Sequence, residues 1–198
     1  AMKGGWIMGI LVILSIIAVY IFIERFIMIR KASRQERNFM NNIRDFMHNG
    51  RLDSALALCR NNDSPIARMI EKGLLRVGRP LNDINTAIEN AGTLEVYKLE
   101  KNVSVLATVA GAAPMIGFLG TVIGMILAFH QMATSGGQAE MGALASGIYT
   151  AMTTTVAGLS VGIIAYVGYN HLVNRTDKVI HKMEANATEF LDLLSEPA

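Results

Sequence analysis

Charge is almost absent from more than a third of this sequence. Residues 102–174 contain no Lys or Arg and one acid, Glu140. Apolar segments at 103–133 and 144–172 flank that acid, and each exceeds the ~20 residues that cross a ~30 Å hydrocarbon core. A third apolar segment, 6–29, is also long enough to span. The lack of charge excludes an ordinary soluble domain and predicts a membrane protein with three spans, in agreement with a mean hydropathy of +0.35.

Cysteine and catalytic side-chain sets are equally scarce. Cys59 is the only cysteine, which excludes a disulfide framework or a cysteine-based metal site within one chain. The spans contain no Ser–His pair, paired aspartates or metal-ligand set, and His130 and His171 lie near opposite ends of their segments. We therefore expect no enzymatic activity, no metal and no organic cofactor. Strand-like alternation is also missing, so the predicted fold class is an all-α membrane protein.

Positive charge is distributed unevenly about the spans. Of the 18 Lys and Arg residues, 14 fall within 25–101 and three follow the third span, whereas 134–143 has none. Because Lys and Arg mark the cytoplasmic side, we predict that the N-terminus and the 134–143 loop face out and that residues 30–101 and the C-terminus lie in the cytoplasm. The predicted segments are a transmembrane helix at 1–29, a cytoplasmic helical region at 30–101, transmembrane helices at 102–133 and 144–172, a periplasmic loop at 134–143 and a C-terminal cytoplasmic helix at 173–198.

The cytoplasmic bases do not indicate a nucleic-acid partner. Over residues 30–101, 13 bases are interleaved with nine acids, as on a solvated helical surface. Five bases follow the first span closely, and we expect them near anionic lipid headgroups: Arg25, Arg30, Lys31, Arg34 and Arg37. The length of this span and its Glu24–Arg25 flank also argue against a cleaved signal peptide.

The cytoplasmic region reads as helices throughout. The apolar spacing and the capping signals predict helices at 33–48, ended by Gly50, at 53–59, and from Asp63-Ser64-Pro65 to about residue 77. Asn82 or Asp83 is the expected cap of a further helix, which we predict to run unbroken into the second span, about 50 residues and ~75 Å long. A separate helix is expected at 173–194. Their apolar faces need neighbours, which favours a homo-oligomer.

Small residues follow one face of the second span. Gly117, Gly120, Gly124 and Ala128 recur at helical spacing, and such a stripe lets helices approach closely in lipid. Pro114 removes one backbone donor and is expected to kink or loosen the helix. In the third span, Gly158 extends the set of small residues. For these glycines we favour a role in helix packing.

Hydroxyl groups are the polar side chains in the middle of the second and third spans. Thr121 lies 17 residues before the centre of the 134–143 loop and Thr155 lies 17 after it, so we expect the two at one depth near mid-membrane. Repeated around an oligomer, they would form a polar ring. Thr150 is about 140° from Thr155 around the helix, so both cannot point squarely into one pore. Bonding back to the preceding helical turn is the alternative role for each hydroxyl, including that of Thr154.

A hydroxyl ring can solvate a moving ion but cannot hold a proton at neutral pH. Proton relays in membranes use Asp, Glu or His. Glu24 is the only acid within the three apolar segments, and Arg25 stands beside it. The ion-pathway candidates are therefore Thr121, Thr150, Thr154 and Thr155, and a proton or cation path would need a carboxylate from another chain.

Several stretches resemble the MotA/TolQ/ExbB family of bacterial inner-membrane ion channels. The resemblance is carried by A-P-M-I-G-F-L-G-T-V-I-G at 113–124 and by G-I-Y-T-A-M-T-T-T-V-A-G-L at 147–159. Tyr169-Asn170, Glu24-Arg25 and the segments at 56–59 and 65–68 fit as well. Three spans with an outside N-terminus resemble the ExbB/TolQ branch, whereas the flagellar stator branch has four.

The resemblance implies a homopentamer around two helices of an ExbD/TolR-type partner with one span each. The partner's Asp would be protonated and released in turn, and a TonB- or TolA-like protein would pass the motion to the outer membrane. It also implies that Thr121 and Thr155 line the pore. Thr150 stands where such proteins usually carry a Glu, which leaves H⁺ and Na⁺ both open as the coupling ion. Nutrient uptake, envelope maintenance and a non-conducting scaffold also stay open.

Overall fold

The computed structural model describes residues 5–33, 38–134 and 141–195, and every regular element in these ranges is a helix. The helices are α1 (Gly5–Ala32), α2 (Phe39–His48), α3 (Leu52–Asn61), α4 (Pro65–Leu74), α5 (Leu81–Glu100), α6 (Val103–Thr134) and α7 (Met141–Ser195). The stretches long and apolar enough to cross a membrane lie on α1, α6 and α7. The all-α fold with three candidate spans is confirmed. Glu140, most of the 134–143 loop, Arg34 and Arg37 lie outside the described residues.

The chain divides into two compact units. The spanning unit comprises residues 1–24 and 102–171, and the charged unit comprises residues 25–101 and 172–198. In the spanning unit, the buried positions of α6 and α7 recur every three or four residues and are mostly small. On α6 they include Ala113, Gly117, Gly120 and Ala128, and on α7 Ala151, Thr154, Gly158, Gly162 and Ala165.

Large apolar side chains form the core of the charged unit. Phe39, Ile43, Ile70, Leu74, Ile88 and Phe190 are all at most 1% exposed. Helix α4 packs against α3 and α5. Gly73 makes room at this junction, because a Cβ there would lie 2.8 Å from both Ile88 Cδ1 and Phe190 Cε1. Cys59 belongs to the same buried set, and burial, with the nearby Glu71, raises the pKa of its thiol to about 12, so the thiol stays protonated.

Several predicted helix ends are confirmed. The Ser64 hydroxyl accepts a hydrogen bond from the Ala67 N–H at 3.2 Å, with Pro65 in the first turn of α4. Gly50 follows α2 with φ +65°, the left-handed conformation expected after a helix end. Helix α3 extends the predicted 53–59 by a residue or two at each end. Of the predicted 33–48 helix, residues 39–48 form α2, and residues 34–37 lie outside the described residues.

Two predictions about helix ends are wrong. Helix α4 stops at Leu74 rather than near residue 77, because residues 75–78 form turns that end at Gly78, which has φ +92°. Pro80 precedes the first residue of α5, and no side chain caps that end, so neither Asn82 nor Asp83 is the cap. Proline's fixed φ and missing N–H suit the start of a helix without a side-chain acceptor.

The predictions about which long helices are continuous are also wrong. The predicted rod from the cytoplasm into the second span is broken, since α5 ends at Glu100 and α6 begins at Val103. Asn102 has φ +64°, and a residue in this left-handed conformation cannot continue a right-handed helix. Conversely, residues 173–194 do not form a separate helix, because α7 runs without a break for 55 residues, about 80 Å.

Candidate ion-pathway site

Glycines bring α6 and α7 into backbone contact. A Cβ on Gly117 would lie 2.8 Å from the Thr154 carbonyl oxygen, and a Cβ on Gly158 would lie 2.5 Å from the Ala113 carbonyl oxygen. Further along α6, a Cβ on Gly120 would lie 2.5 Å from Thr154 Oγ1. No side chain larger than hydrogen fits at these distances. Glycine at these positions is therefore what allows the two helices to approach so closely.

The same contact continues toward the far end of α6. A Cβ on Gly124 would lie 2.7 Å from the Ala151 Cβ. Gly147 on α7 faces the buried Ala128 of α6 in the same way, at 2.8 Å. The predicted packing stripe thus lies on the α6–α7 contact over its whole length, from Gly117 to Ala128.

The close contact brings three hydroxyls together. Thr121 Oγ1 and Thr155 Oγ1 hydrogen-bond to each other, and either oxygen can be the donor. Thr155 Oγ1 also lies 3.1 Å from the Gly117 carbonyl oxygen. Thr154 Oγ1 lies 2.7 Å from the Ala151 carbonyl oxygen and 3.3 Å from that of Gly117. The expected equal depth of Thr121 and Thr155 is confirmed by their contact, whereas a role in ion transport stays a prediction.

The three hydroxyls differ in access. Thr154 is 2% exposed and lies inside the helix contact, whereas Thr121 and Thr155 are half-buried. Thr121 Oγ1 is also 3.4 Å from the carbonyl oxygens of Gly117 and Ala151. Each hydroxyl has one proton to donate but two lone pairs that accept. The half-buried pair can therefore exchange one of its weaker bonds for a bond to water, an ion or a carboxyl group.

Thr150 is not part of this cluster. It is half-buried on α7, and its carbonyl oxygen accepts a hydrogen bond from Thr153 Oγ1 at 2.7 Å. Its position five residues before Thr155 places it on another side of the helix, in agreement with the angle expected from the sequence. Of the four predicted ion-pathway residues, the structure brings three together and leaves Thr150 apart.

Pro114 has a partner that sequence reasoning missed. Helix α6 continues through Pro114 as one element. A Cβ on Gly162 of α7 would lie 2.5 Å from Pro114 Cγ and 3.1 Å from the Ala110 carbonyl oxygen, the group that proline's missing N–H leaves without its helical donor. Gly162 lies four residues beyond Gly158, and this repeat of small residues on one face is the signal that could have identified it.

An open apolar groove of about 690 Å³ lies beside the hydroxyl pair. Its lining includes Met115, Phe118 and Leu119, which are 73%, 63% and 48% exposed, and Thr155 is the one polar side chain in it. Among the described residues of the spanning unit, Glu24 is the only Asp, Glu, Lys or Arg. The groove can therefore receive an apolar helix and offer it one neutral hydroxyl at mid-length.

Neither histidine of the spanning unit joins the cluster. His130 and His171 are both exposed on the surfaces of α6 and α7. Within the ranges that the structure describes, no group of three or more His, Cys, Asp or Glu could hold a metal ion. The histidines therefore add no titratable group to the Thr121–Thr155 cluster, whose polar atoms are hydroxyl and carbonyl oxygens.

Known proteins resemble this chain along most of its length. The model of the MotA/TolQ/ExbB proton channel family matches residues 61–185, more than half of the chain. The chain is 29% identical over 183 residues to the biopolymer transport protein ExbB homolog of Methanothermobacter thermautotrophicus, which covers 92% of the chain and 64% of that protein. It is 30% identical over 192 residues to the biopolymer transport protein ExbB-like 1 of Synechocystis sp., covering 96% and 75%.

A third relative is the Tol-Pal system protein TolQ of Haemophilus influenzae, 37% identical over 139 residues, which covers 70% of the chain and 55% of that protein. The chain thus spans less than two thirds of the length of two of these three relatives. The apolar helices and the family indicate a bacterial inner-membrane protein. Since the family model covers more than half of the chain and its relatives carry ExbB and TolQ names, the chain belongs to the MotA/TolQ/ExbB proton channel family, in its ExbB/TolQ branch.

Proposed function

We propose that this chain is the channel and stator subunit of a proton-driven motor. With a single-span partner of the ExbD/TolR type, it converts the proton motive force into mechanical work delivered to the outer membrane. The observation that carries the proposal is the hydrogen-bonded pair Thr121–Thr155 beside an apolar groove. In a unit with so little charge, this pair is the polar point available to an ion.

Two neutral hydroxyls suit a proton path that another chain completes. A hydroxyl can donate to an ionised carboxylate and accept from a protonated carboxyl group, so it can follow a carboxyl group through both states. It cannot hold the proton itself at neutral pH, and intramembrane proton carriers are Asp, Glu or His. The proton carrier is therefore a partner's Asp, and Thr121 and Thr155 receive it on its way through the membrane.

The apolar groove supplies a place for the partner's helix. Met115, Phe118 and Leu119 offer large apolar surface next to Thr155. A helix seated there would carry its Asp past the hydroxyl pair while its other side chains contact apolar groups. Five copies of this chain around two such helices, as the family resemblance implies, would present five equivalent pairs in turn. A TonB- or TolA-like protein would then transmit the motion, for nutrient uptake or, as a second role, for envelope integrity.

Sodium is the second candidate for the coupling ion. Two carbonyl oxygens, of Gly117 and Ala151, lie within 3.4 Å of the Thr121 hydroxyl, and the Thr155 hydroxyl joins them. Hard cations prefer such oxygen ligands. Thr150, at a position where the family usually has Glu, leaves the third span without a carboxylate of its own. A scaffold that conducts nothing is the remaining alternative, because the same hydroxyls also serve helix packing.

Ion flux into liposomes tests the proposal. The chain is reconstituted with its single-span partner and exposed to an H⁺ gradient and a Na⁺ gradient in turn. We expect Thr121→Val and Thr155→Val each to lower H⁺ flux about tenfold or more while the complex still assembles. Each variant loses one hydrogen bond to a charged group at the top of the energy barrier, and that loss raises the barrier. The partner's Asp→Asn should abolish flux altogether.

Thr153→Val is the matched control on the same helix. The Thr153 hydroxyl bonds to the carbonyl of Thr150 within its own helix, so its loss should leave flux within about twofold of the wild type. Full flux in both Thr121→Val and Thr155→Val would contradict the proposed path. Flux only with Na⁺ would make the hydroxyl cluster a sodium site, and no flux from a correctly assembled complex would favour the scaffold.

A further inference from the structure

The charged unit contains a small cavity lined by three cationic side chains. The cavity has a volume of about 170 Å³, and Lys31, Arg68 and Lys98 contribute to its lining together with Asp63 and Glu95. One water molecule needs only about 10–15 Å³ of such volume, so the cavity has room for a phosphate group with its oxygens. Three bases against two acids leave the lining with a surplus of one positive charge.

Ion pairs fix these side chains but do not use up their donors. Lys31 Nζ lies 2.7 Å from Asp63 Oδ2, Lys98 Nζ lies 2.6 Å from Glu95 Oε1, and Arg68 bridges both acids. An ammonium group has three N–H donors, so each lysine keeps two for another acceptor. The Nε of Arg68 is buried and has no hydrogen-bond partner among the described residues. A ligand rich in acceptors would satisfy these groups.

The rest of the lining is apolar and lies where the first apolar segment ends. Met28, Ala32, Pro65 and Leu99 complete the cavity wall. Lys31 follows the apolar run of α1 by two residues, where we predict that this span leaves the hydrocarbon. A ligand that fits must therefore be anionic at one end and apolar at the other, and must be present at a membrane surface.

We propose that this cavity binds the phosphate of an anionic phospholipid, with the glycerol and the first chain carbons against Met28 and Leu99. One phosphodiester carries one negative charge, which balances the surplus of the lining. A phospholipid with an additional amine would bring a fourth cation to a site that already holds three. The site therefore selects phosphatidylglycerol over phosphatidylethanolamine. It joins α1, α4 and α5, so a bound lipid would stabilise the charged unit at the membrane surface.

Lipid titration of the full chain in detergent, read by native mass spectrometry, tests the site. Phosphatidylglycerol and phosphatidylethanolamine are compared for the wild type and for Lys31→Gln combined with Lys98→Gln. Because each base near an anionic headgroup contributes roughly a factor of five, we expect the double variant to bind phosphatidylglycerol about thirtyfold more weakly. Arg68 and Glu95 are left unchanged, because Glu95 is buried and its ion pair with Arg68 contributes to the stability of the unit.

A matched double variant removes the same charge elsewhere in the unit. Lys72 and Arg79 are exposed and do not line the cavity, so Lys72→Gln with Arg79→Gln should bind within about twofold of the wild type. Asp63→Asn provides a gain that misfolding cannot mimic. It removes an acid that competes for Lys31 and Arg68, and we expect about fivefold tighter binding of phosphatidylglycerol.

Three results would overturn the proposal. Unchanged phosphatidylglycerol binding in the Lys31 and Lys98 double variant would mean that the cavity does not hold the lipid. Weaker phosphatidylglycerol binding in the Asp63→Asn variant would mean that the charge of the cavity lining does not determine the affinity. Glycerol 1-phosphate serves as the soluble probe, and competition by it at the same concentration as the lipid would show that the ligand is a free phosphate ester instead.

Discussion

The interactions that stabilise the spanning unit differ from those that stabilise the charged unit. The spanning unit packs α6 on α7 through glycines, and its polar groups are neutral hydroxyls and carbonyls. The charged unit packs large apolar side chains and carries a chain of ion pairs from Lys31 through Glu95 to Lys98. In lipid, apolar burial gives helices little reason to associate, so close backbone contact takes its place. In contact with water, large apolar cores and paired charges are effective.

The strongest test of this difference is a single methyl group in the glycine contact. Gly158→Ala puts a Cβ 2.5 Å from the Ala113 carbonyl oxygen, where only a backbone shift can make room. We expect a loss of about 3 kcal/mol in the free energy of unfolding, measured by titration from a mild to a denaturing detergent.

Gly111→Ala is the control within the same unit. A Cβ at Gly111, an exposed position of α6, would have nothing within 4 Å. This variant should gain up to about 1 kcal/mol, because alanine restricts the unfolded chain and favours the helix. Equal losses in both variants would mean that the glycines act through backbone flexibility rather than close contact.

In the charged unit, the corresponding weak point is a buried acid. Glu95 is 4% exposed, and its carboxylate pairs with Arg68 and Lys98 at 2.6 Å each. Glu95→Gln leaves two cations without their common partner. Since these cations retain 38% and 54% exposure, we expect a loss of about 2 kcal/mol, less than a fully buried pair would give.

Glu189→Gln is the matched control for that measurement. Glu189 pairs with Arg44, and both side chains are nearly half exposed. Its loss should change the free energy of unfolding by less than about 0.5 kcal/mol. A similar loss in the two variants would indicate that burial adds nothing to the Glu95 network.

Low pH should lower the stability of the charged unit, because it protonates the carboxylates of its ion pairs. Burial opposes the charge of Glu95, but the hydrogen bonds and charges of Arg68 and Lys98 outweigh it and lower its pKa below the ordinary 4.5. Lys31 and Arg68 likewise lower the pKa of Asp63 below its usual 3.8. A lowered folded-state pKa means that the unfolded chain takes up protons first, so this stability is complete above about pH 4.5 and falls as the pH drops further.

Thermal unfolding at pH 7, 5.5 and 4 measures this effect. We expect the same melting temperature at pH 7 and 5.5 and a lower one at pH 4. The decrease at pH 4 should be smaller than the decrease in melting temperature that Glu95→Gln causes at pH 7. The Glu95→Gln variant itself should show a reduced fall, because one of the titrating groups is gone. A fall that is unchanged in the variant would assign the pH dependence to other acids.

The sequence was most informative where the physics is local. The absence of charge located three spans, and Ser64 and Gly50 marked helix ends through their own chemistry. The equal depth of Thr121 and Thr155 could be predicted from residue counting alone, whereas their hydrogen bond could not. That counting works because two helices joined by a short loop rise equally from it.

Features that depend on tertiary contacts were missed. The break between α5 and α6 rests on a left-handed Asn, and no proline or glycine marks it in the sequence. Glu95 was expected on a solvated surface, although it continues the stripe of Ile88, Gly92 and Leu99 on one face of α5. An acid within an otherwise apolar stripe was the available signal. Its partner Arg68 lies on another helix, which periodicity cannot locate.

The smallest expected effect concerns the residue at which the chain passes between the units. Asn102 is the one described non-glycine residue with positive φ, at +64°. Glycine adopts this conformation without steric cost, so Asn102→Gly should raise the free energy of unfolding by about 0.5 kcal/mol. Asn102→Val should lower it by about 1 kcal/mol, because a β-branched side chain is strained there. Detergent titration of both variants measures the pair of opposite signs. If the Asn102→Val variant were as stable as the Asn102→Gly variant, residue 102 would not need a left-handed conformation. Helices α5 and α6 would then form one continuous helix, as α7 does.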